Sequence, residues 1–364
     1  MFDKKKTLKY LFLNALILVF IGNLMVYSAS YIAAKETYGN SLHFFYRQLG
    51  FTLLGILFVQ LISNIKSSYW YRYHFWISLL FSGLLILTMV PGLGIHSNGA
   101  HRWINLGGLG LQPGEFVKYA QLPLCIYFFE NFSDLGIKKR ILYIGNILLP
   151  LGIFIAQPDF GSFTICFMVI CFICFLSSFP RKYFYSFISI GALISIIGMF
   201  MAPYRVKRIL TYLDPWKDPK RSGFQIIQSY LAFAQGHLWG KGIGNGHEKL
   251  FYLPEAHNDF IFSVVGEELG FIGICLIIFL FLSFIYFGFS LALQYRDRIF
   301  SMMVVSMTFA VGIQAFLNMG VVLGLLPTKG LNLPFISYGG SSMLANALAL
   351  GLIFSFTKNE QRLN

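Results

Sequence analysis

Residues 259–290 read DFIFSVVGEELGFIGICLIIFLFLSFIYFGFS, an apolar stretch that opens on the acid Asp259 and carries a pair of acids, Glu267 and Glu268, about two helical turns later. A helix needs roughly 20 mainly apolar residues to cross the hydrocarbon core of a bilayer. An ionisable group within such a stretch is energetically costly, and it usually marks a functional site or a buried ion pair. The stretch therefore predicts a membrane-spanning helix that carries functional or paired carboxylates.

The whole chain shares this apolar character. Of its 364 residues, 56% are hydrophobic, 18% are aromatic and 12% are charged, about half the charged fraction that is usual for soluble domains. This composition excludes a soluble enzyme, a disordered chain and a secreted disulfide scaffold. It predicts a polytopic membrane protein with no nucleic-acid partner.

Ten apolar stretches are long enough to cross a membrane. They are residues 10–33, 45–63, 73–91, 113–130, 141–156, 160–179, 184–203, 259–290, 299–323 and 336–357, with ends uncertain by a few residues. In lipid, backbone groups are satisfied only within helices or closed barrels, and these runs are too continuous for alternating barrel strands. We therefore expect an all-α integral membrane protein with ten transmembrane helices in a single domain, residues 1–364.

Charge predicts the orientation. Because ten is an even number, both termini lie on one side. The segments on that side hold fifteen Lys and Arg, whereas the short loops on the other side hold four, Lys35, Arg47, Arg102 and Lys329. The positive-inside rule then places both termini in the cytoplasm. The one long connection, residues 204–258, lies outside between the seventh and eighth spans, and its length indicates a functional loop.

Ionisable residues gather toward the outer ends of the spans, where they could share one cavity. They are Glu115 and Lys118 in the fourth span, Asp159 between the fifth and sixth, and Asp259, Glu267 and Glu268 in the eighth. Simpler structural roles remain open: an acid at a helix N-terminus for Asp259, a helix cap for Asp159, and an ion pair for Glu115 and Lys118. At least one of Glu267 and Glu268 should face the interior, either protonated or paired with a cation such as Lys118.

Three outer segments carry further signals. Trp103 beside Arg102 is either an interfacial anchor or a site residue. The run GHLWGKGIGNG at 236–246 favours a phosphate cradle or a flexible hinge. The run GLLPTKGLNLPFISYGGSS at 324–342 contains helix-breaking residues at membrane depth. Such irregular backbone must line a cavity or be buried in protein. Alternatively, the small residues of the run allow close packing of helices. These observations leave a transporter and an enzyme equally open.

Five motif segments follow one another along the chain: RWINLGGLGLQPGEFVK at 102–118, QPDFGS at 157–162, PYRVKRILTYLDPWKDPKRSGFQIIQS at 203–229, GHLWGKGIGNGHEKLFYLPEAHNDFIFSVVGEELGFIG at 236–273, and GLLPTKGLNLPFISYGGSS at 324–342. Together they resemble the SEDS family of shape, elongation, division and sporulation proteins over nearly the whole chain. The forms PEAH, VVGEELG and LPTKGLNLPFISYGG are more similar to the division branch, the FtsW proteins, than to the elongation branch, the RodA proteins.

The resemblance implies a peptidoglycan glycosyltransferase of the bacterial cytoplasmic membrane. Such an enzyme polymerises lipid II, the undecaprenyl-diphosphate-linked disaccharide pentapeptide, at the outer face and at the division septum. Its implied partners are a class B penicillin-binding protein transpeptidase and other divisome membrane proteins. Asp259 matches the family's essential acid, and Trp103, Glu115, Lys118 and Asp159 match its other important cavity residues. One departure is Asn258, where the family usually has Thr.

In that reaction Asp259 is the implied general base for the acceptor 4-hydroxyl, which attacks the donor anomeric carbon with inversion to a β-1,4 linkage. Cations should stabilise the departing diphosphate. The candidates are Arg205, Lys207, Arg208, Lys241 and Lys329, and further substrate-binding candidates are Arg102, His257, Ser337 and Tyr338. No cofactor is certain; a divalent cation, Mg²⁺ or Mn²⁺, at Asp259 or Glu115 stays open, although no multi-carboxylate spacing marks a site.

Three alternatives remain. One is an elongation-type polymerase that acts in cell shape. Another is a lipid II flippase, which predicts inverted repeats and polar residues that continue to the cytoplasmic side, and neither is evident. The last is a scaffold that only recruits division proteins, which would not need acids buried in helices.

Overall fold

The computed structural model describes residues 3–97, 100–107, 109–200, 203–246 and 256–360. Helices dominate this part of the chain. They are α1 Lys4–Tyr38, α2 His43–Asn64, α3 Ser67–Arg72, α4 His74–Leu87, α5 Pro113–Ala120, α6 Leu122–Glu130, α7 Ile137–Ala156, α8 Phe160–Leu176, α9 Arg181–Phe200, α10 Pro203–Leu213, α11 Phe224–Gly236, α12 Ile261–Ala292, α13 Arg298–Val322 and α14 Gly340–Glu360.

The helices agree with a multi-pass membrane protein. Six described helices are long and apolar enough to cross a bilayer, namely α1, α2, α7, α12, α13 and α14, while α4 and α8 are apolar but shorter. The predicted fourth span is divided into α5 and α6 at Gln121, and Pro123 lies in the first turn of the second helix, which begins at Leu122. The all-α class is thus confirmed, and the number of ten spans stays a prediction.

A small antiparallel sheet lies between α4 and α5, in a segment for which no strand was predicted. Its strands are β1 Gly94–Ser97, β2 Ala100–Leu106 and β3 Leu109–Leu111, in the order β1-β2-β3. Trp103 pairs with Ile95 across the first two strands. Because these strands are so short, they show no hydrophobic period that could be read from the sequence. The sheet carries Arg102 and Trp103.

The connection between α13 and α14 enters the protein interior. Residues 327–339, which we call the buried loop, form no regular helix, and Leu333, Phe335 and Ile336 in it are at most 3% exposed. Phe335 adopts a left-handed conformation with φ 65°, which is uncommon for a residue with a side chain. Helix α1 reaches the loop at Gly22, where a Cβ would lie 2.4 Å from the Phe335 carbonyl oxygen. The helix-breaking residues therefore mark backbone that is buried in protein.

We expect Gly22→Ala to lower the free energy of unfolding by about 1–3 kcal/mol, because the added methyl group overpacks α1 against rigid backbone of the buried loop. Thermal unfolding of the purified protein in detergent measures the effect. Gly50→Ala in α2 and Gly83→Ala in α4 are matched controls, since nothing lies within 4 Å of a Cβ at either position. The controls should be neutral or slightly stabilising, and equal melting temperatures for all three variants would contradict this contact.

Candidate functional site

A short turn before α12 carries Asp259, and three of its consecutive backbone carbonyls are bound by other segments. The His257 carbonyl accepts from the Tyr338 backbone N–H at 2.9 Å. The Asn258 carbonyl accepts from the Ser337 hydroxyl at 2.7 Å, and the Asp259 carbonyl accepts from Asn318 Nδ2 at 2.8 Å. The buried loop and α13 together fix the backbone on which the Asp259 side chain is carried.

The carboxylate of Asp259 lies against the buried loop. A Cβ placed on Gly330 would lie 3.1 Å from Asp259 Oδ2, and Asp259 itself is partly exposed. The neighbouring Lys329 extends its ammonium to within 3.2 Å of the Thr164 hydroxyl and 5.8 Å of the Phe160 ring centre. Burial lowers the pKa of Lys329. The partly exposed carboxylate of the turn and the partly buried ammonium of the loop are therefore carried by two backbone segments that contact each other.

Asp159 acts as the cap of α8, as predicted, and also binds a cation. Its Oδ1 accepts from the Ser162 backbone N–H at 3.1 Å, and its Oδ2 lies 3.9 Å from Arg102 Nε. The Arg102 guanidinium also donates to the Pro158 carbonyl at 2.8 Å. The start of α8 contacts the buried loop, because a Cβ on Gly161 would meet Leu331 at 2.8 Å.

The ion pair predicted between Glu115 and Lys118 is present in α5. Lys118 Nζ lies 2.5 Å from Glu115 Oε2, and both residues are buried. Lys118 also donates to Gln314 Oε1, and Gln314 Nε2 donates to the Asn332 carbonyl at 2.9 Å. The pair is therefore joined through α13 to the same loop. Residues 329–332 connect the predicted residues of α5, of α8 and of the turn before α12.

Glu267 and Glu268 belong to a different cluster. Both are fully buried. Glu267 Oε1 lies 2.8 Å from Lys241 Nζ, and the two carboxylate oxygens of Glu268 accept from the Ser28 hydroxyl at 2.8 and 2.6 Å. The expectation that at least one of these acids faces the interior, protonated or paired with a cation, is therefore confirmed. The cation is Lys241 of the long connection and not the suggested Lys118, which binds Glu115 and Gln314.

The glycine-rich run at 236–246 is packed into a break in α12. At Gly270 the helix has a left-handed residue with φ 66°, and the backbone N–H groups of Lys241 and Gly242 donate at 3.0 Å to the carbonyls of Glu267 and Glu268. The Gly244 N–H donates at 3.1 Å to the Glu268 carboxylate. All three donors bind acceptors of α12, so the run attaches the long connection to this helix.

The remaining predicted residues take several positions. Trp103 is half-buried in β2 and packs on Gly110, where a Cβ would lie 3.1 Å from its ring. The Tyr338 ring lies edge-on to Phe44 and to the His257 ring, at centroid distances of 5.2 and 5.5 Å. The Ser337 hydroxyl accepts from the Leu333 N–H in addition to its bond to Asn258. Contacts of these side chains with a substrate stay predictions.

The basic helix α10 is near the buried loop. Arg208 is exposed and donates to the Thr328 carbonyl at 3.3 Å, and Lys207 is exposed. The side chain of Arg205 lies outside the described part of the structure. Within the described part, no group of three or more His, Cys, Asp or Glu side chains could hold a metal ion. The proximity of Arg208 to the loop brings a further positive charge to its rim.

Two residues of this arrangement were missed from the sequence. Gln314 and Asn318 are four residues apart in α13, each is 1% exposed, and both donate to carbonyls of the buried loop. Residues at i and i+4 share one helix face. The available signal was two amides at that spacing within the apolar stretch 299–323.

The chain is similar to characterised protein families over almost its full length. The family model described as "Cell cycle protein", for FtsW, RodA and SpoVE, matches residues 8–362. Stage V sporulation protein E of Bacillus subtilis is 37% identical over 347 residues, which are 94% of this chain and 94% of that protein. A probable peptidoglycan glycosyltransferase FtsW of Geobacter metallireducens is 39% identical over 349 residues, which are 94% of this chain and 92% of the relative.

Solved structures share the fold. One solved chain aligns with a TM-score of 0.76 and 25% identity, covering 96% of this chain and 97% of that one. It comes from a structure described as "Structural coordination of polymerization and crosslinking by a peptidoglycan synthase complex". The rod shape determining protein RodA of Thermus thermophilus aligns with a TM-score of 0.70 and 23% identity, covering 96% of both chains. The second likeness establishes the fold alone.

We expect Lys241→Met to destabilise the protein by about 3–5 kcal/mol, because it leaves the buried Glu267 carboxylate without its cation. The double variant Lys241→Met with Glu267→Gln should recover most of the loss. Lys217→Met, at an exposed position of the same connection, should change stability by less than about 0.5 kcal/mol. Thermal unfolding in detergent compares the variants, and equal loss in the single and double variants would argue against the ion pair.

Proposed function

The chain belongs to the cell cycle protein family of FtsW, RodA and SpoVE, and from this premise we propose that it is a peptidoglycan glycosyltransferase that polymerises lipid II for septal cell-wall synthesis. Its site faces outward from the cytoplasmic membrane, and Asp259 is the general base. The observation that carries the proposal is the position of Asp259, a partly exposed carboxylate on a fixed backbone that lies against Gly330, the chain neighbour of Lys329. Relatives named FtsW support the septal role.

Asp259 would accept the proton of the acceptor GlcNAc 4-hydroxyl as that oxygen bonds to the donor MurNAc anomeric carbon. The bond from that carbon to the diphosphate breaks in the same step, so undecaprenyl diphosphate leaves and the α-linked donor becomes a β-1,4 product. General base catalysis of this kind contributes about 10²-fold to 10⁴-fold. Partial exposure lets a sugar hydroxyl reach the carboxylate, and the bound carbonyls hold the base in place.

Lys329 is the strongest candidate for binding the diphosphate. Lys118 and Lys241 each pair with a glutamate at 2.5 and 2.8 Å. Lys329 is instead bound to a neutral hydroxyl and, within the described part of the chain, has no ion pair. A largely buried ammonium without a counter-charge is costly unless an anion arrives. The diphosphate of lipid II supplies that anion, and charge that develops on it as it leaves is stabilised most where water is excluded.

The surrounding groups suggest how the substrate is held. Arg102 spans the Asp159 carboxylate and the Pro158 carbonyl, and Arg208 lies at the rim of the buried loop. Both are placed to contact phosphate or sugar oxygens. Glu115 and Lys118 are more deeply buried, and their link through Gln314 to Asn332 supports the loop from below. We assign them to shaping the loop that carries Lys329.

We also propose a crosslinking partner of the class B penicillin-binding protein type, together with other membrane proteins of the division machinery. The support is the likeness in fold to a chain of a peptidoglycan synthase complex in which polymerization and crosslinking are coordinated. A role for a divalent cation, Mg²⁺ or Mn²⁺, stays open, and assaying the polymerase with and without chelator tests it.

We expect Asp259→Asn to lower the rate of glycan polymerisation by at least about 10²-fold, because the amide cannot take the hydroxyl proton. The measurement uses the purified protein with its cognate transpeptidase and labelled lipid II. Asp218→Asn is the matched control, an acid of the long connection that binds Ser222, and it should polymerise at the wild-type rate. Polymer formed by Asp259→Asn at that rate would refute the assignment, and proteoliposomes that translocate lipid II without polymer would favour a flippase.

Lys329→Met should lower turnover by about 10-fold to 10³-fold, since a positioned charge that stabilises the transition state is removed. Its melting temperature should be unchanged or higher, because no carboxylate loses a partner. Lys118→Met gives the contrast: it leaves Glu115 buried without a cation and should destabilise the protein by about 3–5 kcal/mol. Wild-type turnover of a folded Lys329→Met would exclude Lys329 from binding the diphosphate.

A further inference from the structure

Asn318 joins two segments of the site through one amide group. It lies in α13 with 1% of its surface exposed. Its Nδ2 donates to the carbonyl of Asp259 at 2.8 Å and to the carbonyl of Leu331. One NH₂ group has two hydrogens in a fixed plane, so the two carbonyls are held at a set separation. Leu331 directly follows Gly330, against which the Asp259 carboxylate lies.

The start of α12 leaves the Asp259 carbonyl open to this bond. The helix begins at Ile261, and the Ser263 backbone N–H donates to the Phe260 carbonyl at 3.0 Å. The Ser263 hydroxyl donates to the same carbonyl at 2.7 Å. Asp259 therefore precedes the regular bonding of the helix, and the side chain of Asn318 supplies a donor for its carbonyl.

The neighbouring bonds have a different effect. The bonds from Tyr338 and Ser337 end on the carbonyls of His257 and Asn258, so they attach the turn to the buried loop without fixing the peptide that follows Asp259. The bond from Asn318 fixes that peptide, and its second bond fixes the loop backbone beneath the carboxylate. Loss of Asn318 would leave the turn attached to the loop but would remove the bond that fixes the peptide after Asp259.

We propose that Asn318 is a positioning residue that sets the orientation of the Asp259 carboxylate through the backbone of Asp259 and of Leu331. The proposal rests on the role of Asp259 as general base. Proton transfer in a glycosyl transfer depends on placing the base within hydrogen-bond reach of the hydroxyl, and errors of about 1 Å reduce rates strongly. The two hydrogen bonds that Asn318 donates end on backbone carbonyls, so it acts on the reaction through Asp259.

Asn318 contributes less to the stability of the fold than its two hydrogen bonds suggest. Within the described part of the chain, the Oδ1 atom of Asn318 is buried and has no hydrogen-bond partner. An unsatisfied buried acceptor costs about 1–3 kcal/mol. An apolar replacement of similar shape removes this cost, which partly compensates for the two carbonyls that lose their donor. Catalysis and stability can thus be separated at this position.

The test is a kinetic comparison of Asn318→Leu with wild type on lipid II, in the complex with the transpeptidase. We expect kcat to fall by about 10-fold to 100-fold, KM to stay within about 2-fold, and the melting temperature to fall by no more than a few degrees. Asn346→Leu is the matched control: Asn346 is a fully buried amide of α14 that binds the Tyr119 hydroxyl. It should keep kcat within about 2-fold, and equal loss of kcat in both variants would overturn the proposal.

A double-mutant cycle identifies the route of the effect. If Asn318 acts through Asp259, adding Asn318→Leu to Asp259→Asn should lower the residual rate by less than about 2-fold. A further 10-fold loss would show an independent role and overturn the proposal. Wild-type polymerisation by Asp259→Asn would instead refute Asp259 as the general base. If Asp259→Asn is inactive but folded Asn318→Leu keeps the full kcat, the positioning role of Asn318 is refuted and the role of Asp259 is retained.

Asn318→Ser gives a second variant if Asn318→Leu does not yield folded protein. Its hydroxyl is too short to reach both carbonyls, and it is small enough to avoid steric conflict. We expect the same separation, with a lower kcat and an unchanged KM. Wild-type kcat in Asn318→Ser would overturn the proposal.

Discussion

The site depends on the satisfaction of three consecutive carbonyls, those of His257, Asn258 and Asp259, by donors from the buried loop and α13. Backbone carbonyls shielded from water must find donors within the protein. This requirement explains why the connection between α13 and α14 enters the interior, and why it carries small and helix-breaking residues around Gly330. The loop meets the turn on one side and α5 and α8 on the other, so one segment joins the helices that hold every predicted acid of the site.

The buried charged groups of this protein have two kinds of partner. Glu115 and Glu267 each have a lysine within 2.8 Å, and Glu268 has hydroxyl and backbone donors. Such groups are satisfied in the protein and shape it. Lys329, by contrast, has a hydroxyl for its partner. The difference separates charges that are neutralised within the fold from Lys329, for which we propose an anionic substrate as partner, a distinction that net charge does not reveal.

The long connection is part of the bundle. Its glycine-rich run packs against the break at Gly270, and Lys241 of the run forms an ion pair with Glu267. The Ser28 hydroxyl of α1 donates a hydrogen bond to Glu268. A break in a helix exposes carbonyls that need new donors, and close approach of backbone to backbone needs residues without a Cβ. This packing explains Gly236, Gly240 and Gly246, at which a Cβ would meet α12 within 2.8 Å. Gly242 and Gly244 instead adopt a positive φ, of 90° and 88°. The connection is thereby attached to the same helix that follows Asp259.

The sequence alone determined that this is an all-α membrane protein, because continuous apolar stretches leave the backbone few other options in lipid. It also predicted the cap by Asp159 and the pair of Glu115 with Lys118, and it placed a helix-breaking segment at 324–342. Only the tertiary structure decided which charges meet. The partner of Glu267, the small sheet around Trp103 and the contacts of Asn318 all join residues far apart in the chain, and a linear pattern records local spacing but not the packing that brings distant segments together.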